Sequence, residues 1–365
     1  MPIDFKRNDF MLLWEKQWQY QKKRGGIMKR ILILFFTVLL FTACSANNDE
    51  KITQDKKEAL KVQDYFPIVE NTRYVYEGTG NEYATYTVYT EYTGQGKVQQ
   101  RVDNGGTVTA RVYEIKGGKL TRLLSRGETY YRENLLGEQD DSKEILLKEP
   151  LKKGKSWTLK DGRVRKIASV DSEVTTPSGK YTAIEVVTEG SGDQTTDYYA
   201  KGVGLVKSVF KTGDSEVTSS LKSMEKDISR VETIRFYYPN SNADKIIYVE
   251  KEVSFRTNDS TAQVLEDAYK TAVSNQTGKV LSTNTKINSL KIDKDNKVRI
   301  DLNEAFRTEM NAGSGYESMI LQSIANTLGR YYGAQEVILT VEGKPYESGH
   351  VKFEEGQSIP VKFEE

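Results

Sequence analysis

The sequence contains a single cysteine, Cys44, and a single histidine, His350, among its 365 residues. One cysteine cannot form a disulfide within the chain. Zinc sites with several histidines and Ser-His-Asp triads would all depend on His350. Because His350 follows Gly349 at a predicted strand turn, we expect it to take part in a structural hydrogen bond instead. These scarcities argue against metal-dependent and nucleophilic catalysis. We predict no catalytic residue, no metal site and no cofactor.

Long hydrophobic segments are also lacking. Lys29 and Arg30 precede an apolar run over residues 31–40, and Ala43 stands immediately before Cys44. A charged start, a short apolar run and small residues at a cleavage point are the layout of a secretory signal. A membrane-spanning helix needs about 20 apolar residues, which this run does not supply. The segment resembles the lipobox of bacterial lipoproteins.

That resemblance implies that residues 28–43 are a signal peptide and that Cys44 becomes a diacylated N-terminus. We therefore expect lipidation at Cys44, with the protein held on the extracytoplasmic face of the cell membrane by its diacylglyceryl group. Residues 1–27 are mixed, charged and aromatic, which a signal peptide does not require. We interpret them as an over-extended gene start, with initiation at Met28. The alternative is a cytoplasmic extension with an amphipathic helix over residues 9–21.

Net charge is small in this sequence: 53 basic and 52 acidic residues give +1 at pH 7. Residues 1–43 hold eight of the basic and three of the acidic residues, which leaves 45 basic and 49 acidic residues and a net charge of −4. No basic excess remains to attract nucleic acid, so we expect no nucleic-acid partner. Residues 44–60 are polar and charged, which predicts a flexible tether.

Residues 61–224 are predicted to form a β-rich domain. Short runs rich in Tyr, Val and Thr, among them Glu128–Arg132, are predicted strands. Turn residues such as Asn104-Gly105 and Gly117-Gly118 favour hairpins between them. Strands at this spacing, without a long helical pattern, predict an all-antiparallel, strongly curved sheet or a partly open barrel.

The tyrosines along these strands allow two interpretations. Aromatic residues in strands usually pack a core, and we favour this interpretation. Alternatively, they line a pocket for a glycan or an apolar ligand. In that case several members of one set should meet: Tyr83, Tyr86, Tyr89, Tyr92, Tyr130 and Tyr131. The domain also resembles a β-domain that recurs in bacterial lipoproteins, most specifically at residues 198–206 (YYAKGVGLV). That resemblance implies no defined activity.

From residue 231 to residue 355 the pattern changes to ββα-ββα-β. One helix is predicted to begin at Ser260, with Gln263 in the capping-box position. A second is predicted to be capped by Ser314, with Glu317 in the same position. We therefore predict a C-terminal α/β sandwich, with a mixed sheet and two helices, and an α+β chain as a whole.

This C-terminal pattern resembles the GerMN family, the sporulation and spore germination module. The matching stretches are Ile234–Pro239, Val298–Phe306, Ser318–Leu328 and Val337–Lys344. The family is usually non-enzymatic, occurs in envelope lipoproteins, and in some members is similar to the ring-building modules of sporulation secretion complexes. The resemblance implies envelope or sporulation proteins as partners, with self-association as a further expectation.

The sequence Val-Lys-Phe-Glu-Glu occurs twice near the end, at residues 351–355 and 361–365. We expect residues 356–365 to form a C-terminal tail or an edge strand. The function predicted from all these features is that of a lipid-anchored, non-enzymatic envelope protein. Its GerMN module would mediate protein–protein assembly in sporulation, spore germination or cell-wall remodelling. The alternative is a ligand-binding envelope lipoprotein that uses the Tyr-rich β-domain.

Overall fold

Twelve antiparallel strands form one sheet in the N-terminal half of the chain. The computed structural model describes residues 59–141, 143–271 and 275–362. The strands of this sheet are β1 (Arg73–Thr79), β2 (Tyr86–Gly94), β3 (Lys97–Asp103), β4 (Val108–Lys116), β5 (Lys119–Arg126), β6 (Glu144–Lys148), β7 (Ser156–Thr158), β8 (Val164–Thr176), β9 (Gly179–Glu189), β10 (Asp193–Ala200), β11 (Gly204–Thr212) and β12 (Ser215–Glu225). They lie in the order β6-β5-β4-β3-β2-β1-β12-β11-β10-β9-β8-β7.

The sheet curves until its two edge regions meet through side chains. Trp157 on β7 donates through Nε1 to the Ile145 carbonyl oxygen on β6 at 3.1 Å. Arg165 on β8 donates through Nη1 to the same oxygen at 2.8 Å. Strands β6 and β7 are nevertheless not neighbours in the hydrogen-bonded order. The predicted all-antiparallel, strongly curved sheet is therefore confirmed, and it is not closed into a barrel.

A short helix, α1 (Val62–Tyr65), packs against the apolar interior of this sheet. Residues of this interior come from both ends of the strand order, and they include Val98, Tyr113, Leu120, Leu147, Trp157, Ile167, Ile184, Val186 and Tyr199. The helix is held in place by two main-chain contacts. Val62 N donates to Glu149 Oε1 at 2.9 Å, and Gly202 N donates to the Asp64 carbonyl oxygen at 2.7 Å.

The strand predicted at Glu128–Arg132 is wrong, because these residues form an irregular segment after β5. Arg101 on β3 donates through Nη1 to the Thr129 carbonyl oxygen at 2.8 Å and through Nη2 to the Tyr131 carbonyl oxygen at 2.6 Å. A buried arginine thus takes the acceptors that a sheet ladder would use. Tertiary contacts override the β-propensity of the Thr-Tyr-Tyr sequence.

The C-terminal half contains two sheets and three helices within the described residues. Its strands are β13 (Arg230–Pro239), β14 (Ile246–Phe255), β15 (Ile287–Ile292), β16 (Val298–Leu302), β17 (Glu336–Val341), β18 (Lys344–Pro345) and β19 (Ile359–Pro360), and its helices are α2 (Thr261–Lys270), α3 (Ala305–Thr308) and α4 (Ser314–Tyr332). β13 and β14 form an antiparallel pair. In the second sheet β16 and β17 are parallel, whereas β15, β18 and β19 pair antiparallel with them. The predicted mixed sheet with helices is confirmed.

The two predicted helix starts have different outcomes. Ser260 is the N-cap of α2, and its Oγ accepts from Gln263 N at 3.4 Å. At α4 the N-cap is Gly313, without a side-chain cap, so the prediction for Ser314 is wrong. Glu317 does not complete a capping box there, because its buried carboxylate accepts from the Tyr346 hydroxyl at 2.7 Å.

Only residues 226–229 separate β12 from β13, and all described residues fall within one compact unit. The core of the C-terminal half contains residues from both sheets and both long helices, such as Phe236, Phe255, Leu265, Ile324 and Val337. At the end of the chain, β19 pairs with β17, so part of the segment predicted as a tail or edge strand lies at the sheet edge. None of the helices in the described ranges is long and apolar enough to cross a membrane.

Candidate functional site

The structure describes only one of the two residue types that occur once in the sequence, namely His350 and not Cys44. Cys44 lies outside the described residues, so its lipidation stays a prediction. His350 is exposed in a turn, where its backbone N–H donates to Ser348 Oγ at 3.0 Å. Within the part of the chain that the structure describes, no three His, Cys, Asp or Glu side chains are grouped so that they could hold a metal ion.

The six tyrosines proposed to share a pocket do not come together. Tyr83 and Tyr130 are 43% and 52% exposed. Tyr86 stacks on Tyr76, with 4.5 Å between ring centroids. The remaining three contact the C-terminal half: Tyr89, Tyr92 and Tyr131. Most of these aromatic residues therefore serve packing or the junction between the halves, as the core interpretation predicts.

The junction between the two halves is polar and buried. The Tyr89 hydroxyl lies 3.0 Å from the Ile228 carbonyl oxygen and 3.2 Å from that of Phe255. The side chains of Asn71 and Thr257 each accept from the other residue's backbone N–H, at 2.9 and 2.7 Å. These contacts place the start of the second half against β1 and β2, and they leave little freedom for independent motion of the halves.

Arg132, which is fully buried, is the centre of this junction. Its guanidinium donates to three main-chain carbonyl oxygens, those of Glu91, Arg256 and Asp259. The guanidinium carbon also lies 4.1 Å from the centroid of the Tyr92 ring, which is cation–π geometry. The Arg132 backbone N–H donates to the Tyr331 hydroxyl at 3.1 Å. One side chain thus ties β2, the end of β14 and the start of α2 together.

Beside it lies a buried ionic cluster around Glu91, which is 1% exposed. Its carboxylate accepts from Arg101 Nε at 2.6 Å and from Gln99 Nε2 at 3.0 Å, and Arg230 Nη2 lies 3.6 Å away. Burial opposes ionisation of Glu91, but the two arginines outweigh it and lower its pKa. Burial, reinforced by repulsion from Arg101, lowers the pKa of Arg230 to about 10. Glu91 and Arg230 therefore remain charged at neutral pH.

A surface depression of about 230 Å³ lies between α4 and the C-terminal segment. Its walls include Leu321, Phe353 and Ile359, and the amides of Gln322 and Gln357 lie among them. Among the described residues, no titratable side chain lines it. It could receive an apolar side chain, but it offers no acid, base or thiol for a reaction.

Sequence reasoning did not identify Glu91, Arg101 and Arg132. Glu91 and Arg101 stand inside Tyr- and Val-rich strands, at positions that the structure buries. Charged residues are rarely fully buried unless they are paired, so a charge within such a strand was the available signal. Arg132 carried no comparable signal, because its acceptors lie far away along the chain.

Residues 235–347 match the family model Germane, described as sporulation and spore germination. No curated protein is significantly similar to the chain. The first GerMN domain of the sporulation protein GerM from Bacillus subtilis is 23% identical, over 36% of this chain and 94% of that one, with a TM-score of 0.26. A candidate lipoprotein from Parabacteroides distasonis is 14% identical, over 44% of this chain and 98% of that one, with a TM-score of 0.27. An exported protein with a YmcC-like fold from Bacteroides fragilis is 12% identical, over 44% and 98% of the two chains, with a TM-score of 0.28. The family match confirms the GerMN-type domain predicted in the C-terminal half.

Proposed function

We propose that this chain is a lipid-anchored, non-enzymatic envelope protein whose Germane domain mediates protein–protein assembly in sporulation, spore germination or cell-wall remodelling. The observation that carries the proposal is the match of residues 235–347 to the sporulation and spore germination family. The diacylglyceryl group on Cys44 holds the protein at the extracytoplasmic face of the membrane. Its partners are envelope or sporulation proteins, with self-association as one form of assembly.

The geometry of the described residues supports a binding role in preference to a catalytic one. The buried charges of the junction are committed to each other and to main-chain carbonyls. The described residues that line the depression beside α4 include no titratable side chain. The polar junction also mounts the Germane domain on the β-domain in a fixed orientation, which suits a module that positions partners near a membrane.

Site-specific photocrosslinking in a sporulating host that encodes the chain tests the assembly role. Crosslinking residues are placed at Lys344 and Lys294, both exposed on the Germane domain, and at Lys119, which is exposed on the β-domain. We expect specific adducts from the Germane positions that are absent from the Lys119 position. Normal spores and normal wall morphology after gene deletion, together with no adducts from either Germane position, would count against the proposal.

Membrane attachment is tested separately with Cys44→Ala and the matched control Ser45→Ala. We expect the Cys44 variant to keep an uncleaved signal and to lack the mass of the diacylglyceryl group, because lipidation and cleavage both need the thiol. The Ser45 variant should stay membrane-bound. Membrane binding that survives Cys44→Ala with a normal mature mass would contradict lipid anchoring.

A further inference from the structure

Eight lysines lie at one end of the β-domain. In an antiparallel meander successive turns alternate between the two ends of the sheet, so the connections after β4, β6 and β10 share one end. The short helix α1 lies at this end, because Gly202 N donates to the Asp64 carbonyl oxygen at 2.7 Å and Val62 N donates to Glu149 Oε1 at 2.9 Å. The lysines of these four segments, here called the lysine end, are Lys61, Lys116, Lys119, Lys148, Lys152, Lys153, Lys155 and Lys201.

The sheet places three of these lysines side by side. Lys116 is the cross-strand partner of Lys119, and Lys119 is in turn the cross-strand partner of Lys148 on β6. Residues opposite each other on antiparallel strands have Cβ atoms about 4.5–5.5 Å apart, and like charges in such positions destabilise a sheet. Because this arrangement weakens the fold, folding alone does not explain it.

Little negative charge offsets the lysine end. Residues 61–66, 116–119, 148–155 and 201–204 contain eight lysines and two acidic residues, Asp64 and Glu149, which gives a net charge of +6. Since residues 44–365 carry −4 in total, the rest of that chain carries −10. The lysines that form ion pairs among the described residues all lie outside the lysine end. Charges act over about 10 Å at about 0.1 M salt, so a partner at this end meets a basic surface although residues 44–365 as a whole are acidic.

The lysine end is open to solvent, and its composition indicates the kind of partner that it fits. Six of the eight side chains are exposed with both halves of the chain in place: Lys61, Lys116, Lys119, Lys152, Lys153 and Lys201. None of the basic residues in these four segments is an arginine. A guanidinium matches the planar geometry of a single oxyanion, whereas an ammonium is a point charge on a flexible stem. Lysines spread over four segments therefore suit an extended anionic surface better than one bound anion.

We propose that the lysine end lies on the anionic phospholipid headgroups of the membrane and turns the α1 side of the β-domain towards the bilayer. Lys61 follows Cys44 by 17 positions, and the 16 residues between them span at most about 55 Å when extended. An anchor at Cys44 therefore keeps this end of the β-domain near the bilayer. Clusters of roughly four to eight basic residues beside a membrane anchor are attracted to anionic lipids. The choice of a membrane over another polyanion rests on the proposed lipid anchor, and the assembly role of the Germane domain is not involved.

Vesicle sedimentation tests the proposal with a chain of residues 45–365, which lacks the signal and the lipid and contains every described residue. All described residues form one compact unit, so this chain keeps the whole fold. The probes are vesicles of phosphatidylcholine alone and vesicles of phosphatidylcholine and phosphatidylglycerol in equal parts. At about 0.1 M salt we expect the anionic vesicles to be bound at least about tenfold more tightly than the neutral ones.

Two quadruple variants locate the binding surface. Each lysine at an anionic surface strengthens binding about fivefold. The lysine-end variant, which combines Lys116→Gln, Lys119→Gln, Lys152→Gln and Lys153→Gln, should bind at least about twentyfold more weakly, the loss expected if only two of the four reach the surface. The control variant combines Lys279→Gln, Lys291→Gln, Lys294→Gln and Lys344→Gln, which are exposed positions in the Germane domain without an ion pair among the described residues. It removes the same charge and should change binding by less than about twofold.

Acetylation of the full-length lipidated chain provides a second test that needs no variant. Lys119 should react more slowly on anionic vesicles than on neutral ones, whereas Lys294 should react equally on both. The proposal is overturned if residues 45–365 bind both kinds of vesicle equally, if the two quadruple variants lose binding equally, or if Lys119 is not protected. Binding to soluble polyphosphate without binding to anionic vesicles would also overturn it, because the partner would then be another polyanion. The Cys44→Ala experiment reports on the anchor alone, so failure of the anchor and failure of the lysine end are distinguishable.

Discussion

Replacing Arg132 with methionine should loosen the junction between the two halves of the chain. Methionine keeps an unbranched side chain of similar length, so the cavity is largely filled. The change removes the guanidinium that donates to carbonyl oxygens of residues 91, 256 and 259. The carbonyl oxygens of Glu91 and Arg256 each keep one main-chain donor, Asn258 N at 2.9 Å and Asp259 N at 3.2 Å, whereas that of Asp259 loses the guanidinium donor.

The expected change in the free energy of unfolding is the balance of two losses and one gain. An acceptor left without a donor, as at Asp259, costs about 1–3 kcal/mol, and each of the two oxygens that keep a main-chain donor loses one hydrogen bond worth about 0.5–1.5 kcal/mol, which together is about 2–6 kcal/mol. The lost cation–π contact with Tyr92 adds about 1 kcal/mol. Against this, Arg132 makes no ion pair with a carboxylate among the described residues, and removing its charge recovers several kcal/mol of desolvation. We expect a net loss of about 2 kcal/mol in the free energy of unfolding, which for a typical protein is roughly 5–15 kcal/mol.

Urea unfolding followed by circular dichroism measures this loss, and hydrogen exchange locates it. Amides of β13 and of the segment after β5 should lose protection, whereas those of β9 in the inner core should keep it. The matched control Arg73→Met breaks an exposed pair with Glu225 and should change stability by less than about 0.5 kcal/mol. A loss below about 1 kcal/mol for Arg132→Met would refute the reasoning, because the junction would then not depend on the guanidinium.

Three further substitutions probe other parts of the molecule. Glu91→Gln should destabilise the protein at pH 7. Because the folded-state pKa of Glu91 lies below 4.5, the ionised carboxylate contributes fully to stability above pH 4.5. This contribution is lost as the pH falls through the lowered pKa. Urea titrations should therefore show the difference in stability between the parent and Glu91→Gln becoming smaller below pH 4.5. Thr327→Val removes a hydroxyl that accepts from a backbone N–H at 2.8 Å and from a tyrosine hydroxyl at 2.5 Å. It should lower the free energy of unfolding by about 3 kcal/mol, whereas Thr327→Ser, which keeps the hydroxyl, should lower it by less than about 1 kcal/mol. Equal losses in the two variants would contradict this role of the hydroxyl. Gly78→Ala would place Cβ 2.1 Å from a main-chain carbon and should cost about 2–3 kcal/mol in thermal unfolding, whereas Gly137→Ala, with no atom within 4 Å, should be nearly neutral.

Local patterns predicted much of the secondary structure. The hairpin of β15 and β16 and the cap at Ser260 were evident because each depends on residues that are close in sequence. The errors at Glu128–Arg132 and at Ser314 have one cause. In both places a distant side chain, Arg101 or Tyr346, claims a group that local rules assign to a ladder or a cap.

The sequence by itself determined the curved antiparallel sheet, the mixed sheet with helices and the Germane-type pattern. These features depend on the periodicity of apolar residues and on turn residues, and both can be seen in the sequence. It also contains the lipobox-like segment that ends at Cys44, on which the proposed anchoring depends. Only the tertiary structure decided which charges meet. The acceptors of Arg132 lie 41, 124 and 127 positions away along the chain. Glu144 on β6 and Arg165 on β8 likewise form an ion pair between opposite ends of the strand order, which come together only through the curvature of the sheet. Contacts of this kind leave no periodic trace in a sequence, since their energy depends on burial and geometry that exist only after folding.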